Sequence, residues 1–178
     1  MLLRLFIAIN FPDALKDNLA SLNQAVKAGA ASGSFTERDN FHLTLAFIGE
    51  SNAVTALTAI LEGLPKYAFD ITLGGAGSFK REHGELLWIG VAPSSDLTAL
   101  ERLLRNKLRT AKFPVEDRPF RPHVTLCRGF EPRHRFEAAR LLALFPSTTL
   151  RVHRISLMKS ERKKGKLVYT ELYGAELE

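Results

Sequence analysis

His42-Leu43-Thr44-Leu45 and, 81 positions later, His123-Val124-Thr125-Leu126 are the two stretches on which the reading of this 178-residue chain turns. Successive side chains on a strand point to opposite faces, so in each stretch the histidine and threonine share one face. The apolar partners share the other face and can anchor both strands to a core. Two imidazoles and two hydroxyls are then left to look into a common space. In a chain with 5 His, chance supplies about 0.3 H-x-T triplets, and two of them with a probability on the order of 0.04. Each histidine alone is more often structural; the pair at equivalent positions favours function.

Outward from these segments the chain matches itself. Leu5-Phe6-Ile7-Ala8-Ile9 answers Leu87-Trp88-Ile89-Gly90-Val91 at a shift of 82. Between each such run and its H-x-T segment lies a stretch with helical spacing. One covers Asp13 to Ala30, with Leu15, Leu19, Leu22 and Val26 on one side; the other covers Leu97 to Ala111, with Leu100, Leu103, Leu104 and Leu108. A further helix and strand follow each H-x-T segment: Ala53 to Leu61 with Phe69 to Leu73, and Arg135 to Leu144 with Leu150 to Met158. Ala30 to Ser34 reads as a loop, and Leu167 to Leu172 as a last strand after a very basic turn. The expectation is an α+β fold, a bilobal pseudo-twofold duplication of a β-α-β-α-β unit. Its repeats span roughly 1–84 and 85–178 of a single domain, with mainly antiparallel sheets facing a central cleft.

Lys and Arg number 25 against 19 Asp and Glu, a net charge of +6 that favours an anionic partner such as RNA. No apolar run reaches the roughly 18 residues of a membrane span, so no membrane partner is expected. Leu2 to Ile9 is interrupted by Arg4 and followed by Asn10 and Pro12, which reads as a strand and not a signal peptide. The lone Cys127 reads as a buried structural thiol of a reducing, cytoplasmic compartment. Gly74-Gly75-Ala76-Gly77 lacks the lysine and helix of a phosphate-binding loop. Neither His42 nor His123 has a carboxylate or cysteine at ligand spacing, so no metal and no cofactor are expected, in a monomer.

Two imidazoles and two hydroxyls suit phosphodiester chemistry. Opening a cyclic phosphate takes a base for the attacking water and an acid for the departing ribose oxygen. Imidazole fills both roles near neutral pH. Hydroxyls donate to the non-bridging oxygens as their charge grows. The rival from another class is a non-catalytic RNA-binding module, which would more often show exposed aromatics on its sheet than paired H-x-T segments.

Asp39-Asn40-Phe41-His42-Leu43-Thr44-Leu45-Ala46-Phe47-Ile48-Gly49-Glu50 resembles the first signature of the bacterial RNA 2′,3′-cyclic phosphodiesterases. Those enzymes, also known as 2′-5′ RNA ligases, belong to the two-histidine phosphoesterase superfamily. Arg118-Pro119-Phe120-Arg121-Pro122-His123-Val124-Thr125-Leu126-Cys127-Arg128 resembles the second signature, and Arg4 to Ile9 and Lys166 to Thr170 extend the likeness over nearly the whole chain. The resemblance implies hydrolysis that leaves a 2′-phosphate, with His42 as proton donor and His123 as proton acceptor. By themselves the two pseudo-equivalent sites do not separate these roles. It implies RNA with a 2′,3′-cyclic phosphate end as partner, tRNA fragments among the candidates, or small cyclic nucleotides. Reversible 2′-5′ ligation is the same pair run backwards, without a nucleotide cofactor.

Thr44, Thr125 and Arg128 are the phosphate-binding candidates. A guanidinium suits phosphate oxygens, and the resembling family carries an arginine at position 128. Strict alternation from His123 would put Arg128 on the apolar face, so it must follow the strand end or a bulge. Arg121 binds substrate or is simply solvated. Lys159, Arg162, Lys163, Lys164 and Lys166 form either a solvated hairpin tip or a clamp on upstream phosphates. Phe11 stacks on a terminal base or packs in the core. His83, His134 and His153 read as solvated or structural.

Overall fold

The computed structural model describes residues 2–178. Strand β1 (Leu3–Asn10) is apolar from Leu5 to Ile9 because it is covered on both faces. Leu5, Ile7 and Ile9 enter the main core, whereas Phe6 and Ala8 join Met158 in a smaller cluster on the opposite face. From β1 the chain runs through helix α1 (Asp13–Ala28) and strand β2 (Ala30–Phe35) to β3 (His42–Ser51) and α2 (Val54–Glu62). The hairpin of β4 (Phe69–Arg81) and β5 (Gly84–Val91) leads to α3 (Ser95–Thr110), β6 (His123–Pro132) and the short α4 (Ala138–Leu142). β7 (Thr148–Val152), β8 (Arg154–Lys163) and β9 (Lys166–Glu176) follow.

Every strand pairing is antiparallel, and the strands form two sheets, β3-β1-β8-β9 and β2-β6-β5-β4-β7. Both contain the same inner order: an H-x-T strand (β3 or β6), its preceding apolar strand (β1 or β5), then a third strand (β8 or β4). That third strand comes from the opposite half of the chain in each case. β4 leaves the first half to pair with β5, and β8 leaves the second half to pair with β1.

The helices cover the sheets with apolar stripes. Leu15, Leu19 and Val26 of α1, Leu57 and Leu61 of α2, and Leu97, Leu104 and Leu108 of α3 are all buried in one core with Leu43, Ile89 and Val124. Truncating one such leucine to alanine costs about 2–5 kcal/mol. α3 is capped by Ser94, whose Oγ accepts the Leu97 N–H at 3.2 Å, a cap worth about 1 kcal/mol.

Four segments depart from expectation. Ala30 to Ser34 is not a loop, because its backbone pairs with β6 as an edge strand. Its small side chains are mostly solvent-facing and carry no alternation, and Gly33, at φ 150°, lies against Cys127, whose Sγ would be 2.6 Å from an added Cβ. Leu150 to Met158 is not one strand, since β7 and β8 part at His153 and belong to different sheets. The apolar phase records the break: Leu150 and Val152 are even-numbered, the buried Ile155 and Leu157 odd-numbered. The helix expected over 135–144 shrinks to α4, with Arg135 ahead of it in the left-handed region at φ 64°. β4 does not stop at Leu73 but continues, after a bulge, through the glycine-rich stretch to Arg81.

Candidate active site

A cleft of about 870 Å³ opens between the two sheets, with β3 and β6 among its walls. His42 and Thr44 line it from β3, with Leu43 buried behind them and Leu45 at the cleft's edge. His123 and Thr125 line it from β6, with Val124 and Leu126 behind.

Both rings are held alike. The His42 Nδ1–H donates to the Asn40 carbonyl and the His123 Nδ1–H to the Arg121 carbonyl, each at 2.7 Å. A carbonyl can only accept, so each neutral imidazole carries its lone pair on Nε2. The His42 Nε2 lies 2.9 Å from Thr44 Oγ1, whose hydroxyl donates to it. Beneath His42 sit Phe6 and Tyr169, with ring centres 5.0 and 5.2 Å away. Beneath His123 sit Phe79 and Trp88, at 5.7 and 6.4 Å. Gly77 leaves room for the indole, because a Cβ there would meet the Trp88 ring at 2.4 Å.

These floors remove water and so disfavour charge. Burial is the leading reason that the His42 imidazole is pushed down to about 4, with the Arg128 and His123 charges adding to it and the Asn40 carbonyl opposing it. His123 is lowered too, first by burial and then by Arg128 and Arg81, against the Arg121 carbonyl. Burial raises the Tyr169 phenol, and Arg128 and Arg4 oppose that shift. Arg128 thus acts on both histidines at once.

It reaches the cleft through a bulge. Trp88 pairs with Thr125 but Leu87 pairs with Cys127, which makes Leu126 the extra residue on β6. Leu126 and Cys127 are both buried and Arg128 lines the cleft, ahead of a second register shift between Cys127 and the buried Phe130.

The remaining sequence candidates divide. Arg121 and Arg162 line the cleft. Lys159 does not, since it pairs with Leu5 on the core-side face of β8 while the neighbouring Met158 pairs with Phe6. Lys163 shares that face, and Glu161 Oε1 holds Lys159 Nζ at 3.0 Å and Lys163 Nζ at 2.9 Å. Lys164 sits in the left-handed region at the hairpin tip, at φ 51°. Of the hairpin's five basic residues, Arg162 and Lys166 line the cleft. Phe11 is 5% exposed within the main core and has no free face for a base. Sequence reasoning missed the aromatic floors and the rim cations Lys80, Arg81, Arg105 and Arg118. Arg105 is tied to the buried Glu101, and Arg118 to Glu116. One signal was available, because Phe6 and Trp88 are equivalent at the shift of 82. Among the described residues, no three or more His, Cys, Asp or Glu side chains form a metal-holding group.

Residues 11–164 match the model of the 2′-5′ RNA ligase superfamily, and the chain belongs to that family. It is 28% identical over 180 residues to the RNA 2′,3′-cyclic phosphodiesterase of Methanothermobacter thermautotrophicus, covering 97% of each chain. It is 33% identical over 128 residues to the protein of the same name from Escherichia coli, covering 70% of this chain and 71% of that one. Among solved structures, E. coli LigT complexed with 3′-AMP superposes with a TM-score of 0.83 at 28% identity, over 99% of both chains.

Proposed function

We propose that this protein hydrolyses 2′,3′-cyclic phosphates at RNA ends, leaving a 2′-phosphate and a 3′-hydroxyl. The observation that carries the reading is the presentation of two imidazoles to one cleft, each with Nδ1 tied to a carbonyl, so that Nε2, which in His42 meets the Thr44 hydroxyl, is the nitrogen for chemistry. The names of the M. thermautotrophicus and E. coli relatives support the substrate class, and the LigT complex with 3′-AMP supports a nucleotide ligand.

Water attacks phosphorus opposite the 3′-oxygen. His123 Nε2 takes its proton as the new P–O bond forms. The P–O3′ bond breaks, and His42 Nε2 gives its proton to the departing oxygen. His123 ends charged and His42 neutral; exchange with solvent resets them. The Thr44 and Thr125 hydroxyls and the Arg128 guanidinium serve the non-bridging oxygens, where charge builds in the transition state. As donor, His42 must begin protonated, against its burial and the Arg128 charge. A bound phosphodiester brings a negative charge that offsets Arg128 and raises the imidazole. Imidazoles make both proton transfers on an already strained ring, so the reaction calls for no metal. With a 5′-hydroxyl in place of water, the same transfers make a 2′-5′ linkage, and small cyclic nucleotides present the same reacting ring.

A short RNA ending in a 2′,3′-cyclic phosphate, incubated with the protein in EDTA, tests the reading. Conversion to a 2′-phosphate end is expected. RNA that binds and stays unconverted would point to a non-catalytic RNA-binding module, and conversion that depends on added metal would remove the metal-independent mechanism.

A further inference from the structure

Asn23 of α1 takes no part in the chemistry above, yet it sits where a polar side chain is costly. It is 5% exposed, and its Oδ1 has no hydrogen-bond partner among the described residues. An unpartnered buried oxygen destabilises, and a leucine of similar volume would fill the site without one. Its Nδ2 donates to the Thr36 carbonyl at 3.0 Å and to the Leu126 carbonyl at 3.1 Å. Leu126 is the extra residue of the β6 bulge, whose place in the ladder is disrupted.

Thr36 completes the grip. Its N–H donates to the same Leu126 carbonyl at 2.8 Å, and its Oγ1 donates to the Thr125 carbonyl at 2.9 Å. Three donors thus fix two consecutive carbonyls in the segment between Thr125 and Arg128, both of which line the cleft.

We propose that Asn23 and Thr36 are positioning residues that hold the Leu126 bulge in the register that aims Arg128 at the substrate phosphate. The inference rests on the role proposed above for Arg128.

The test compares kcat, KM and Tm for Asn23→Leu, Thr36→Val, Arg128→Gln and the double variant Asn23→Leu/Arg128→Gln on the cyclic-phosphate RNA. Arg128→Gln should lower kcat/KM by about 100-fold. Asn23→Leu should lower it roughly tenfold through misplacement, mainly in kcat, with Tm lowered modestly because the Thr36 carbonyl loses its donor. The double variant should be no worse than Arg128→Gln alone, because a clamp acting through Arg128 has nothing further to lose. The acid limb of kcat/KM should move to higher pH in Asn23→Leu, as in Arg128→Gln, since a withdrawn guanidinium no longer opposes imidazole protonation. Looser packing alone would leave that limb in place. Losses that multiply in the double variant, or wild-type kinetics in Asn23→Leu, overturn the proposal. Should Asn23→Leu fail to fold, Thr36→Val keeps the volume and the backbone N–H, and its wild-type activity would be equally fatal. Full activity in Arg128→Gln would instead overturn the role of Arg128 itself.

Discussion

His42 and His123 are held as neutral bases by desolvation more than by charge, and this sets the pH dependence expected of the protein. The proposed mechanism needs one ring neutral and the other protonated. With His42 near 4 and His123 also below its ordinary 6.5, the bell for kcat/KM should peak between about pH 4 and 6.5. Bound phosphate raises both groups, so the bell for kcat should lie at higher pH. Each limb belongs to the pair and not to one ring. Full pH–rate profiles check this, and two coincident bells centred above pH 7 would contradict it. At this scale the sequence was most readable for His42, Thr44, His123 and Thr125, because strand alternation puts each pair on one face and the matching repeat positions bring the two pairs to one cleft. Phe79 and Tyr169 were not readable, because they reach the histidines across strand pairings that no local pattern announces.

Among the elements, two devices decide which charges the cleft sees. The bulge at Leu126 turns Arg128 inward, and the unbroken alternation of β8 turns Lys159 and Lys163 away while leaving Arg162 at the cleft. A run of basic residues in sequence is thus divided by a period of two. Replacing Arg81, Arg121 and Arg162 with glutamine should weaken oligonucleotide binding and flatten its salt dependence, by roughly 0.7 in log–log slope for each phosphate no longer neutralised. Replacing Lys159 and Lys163 should leave the slope where it was. Fluorescence anisotropy across a salt series measures both, and equal changes in the two variants would sink the division. The sequence left the hairpin tip and the clamp as open alternatives, because a turn of unknown register does not say which face its neighbours occupy. Phe11 misled for the opposite reason: a phenylalanine at a strand end looks the same in sequence whether it stacks on a ligand or seals a core.

For the whole molecule, the exchange of third strands makes the cleft a joint product of both halves of the chain. β4 and β8 each cross to the other sheet, so neither H-x-T strand is supported by its own half alone. The matching segments predicted two antiparallel sheets around a cleft, and those are present. The exchange itself was hidden, since self-similarity reports which segments correspond and not which of them pair. The break at His153 left only a one-residue slip in apolar phase as its trace. The measurement that bears most directly on the two-histidine site is single-turnover cleavage of a cyclic-phosphate RNA by His42→Ala and by His123→Ala. Each is predicted to be slower by about 10²- to 10⁴-fold while still binding RNA. A single-histidine variant that keeps a near wild-type rate would contradict the two-histidine mechanism.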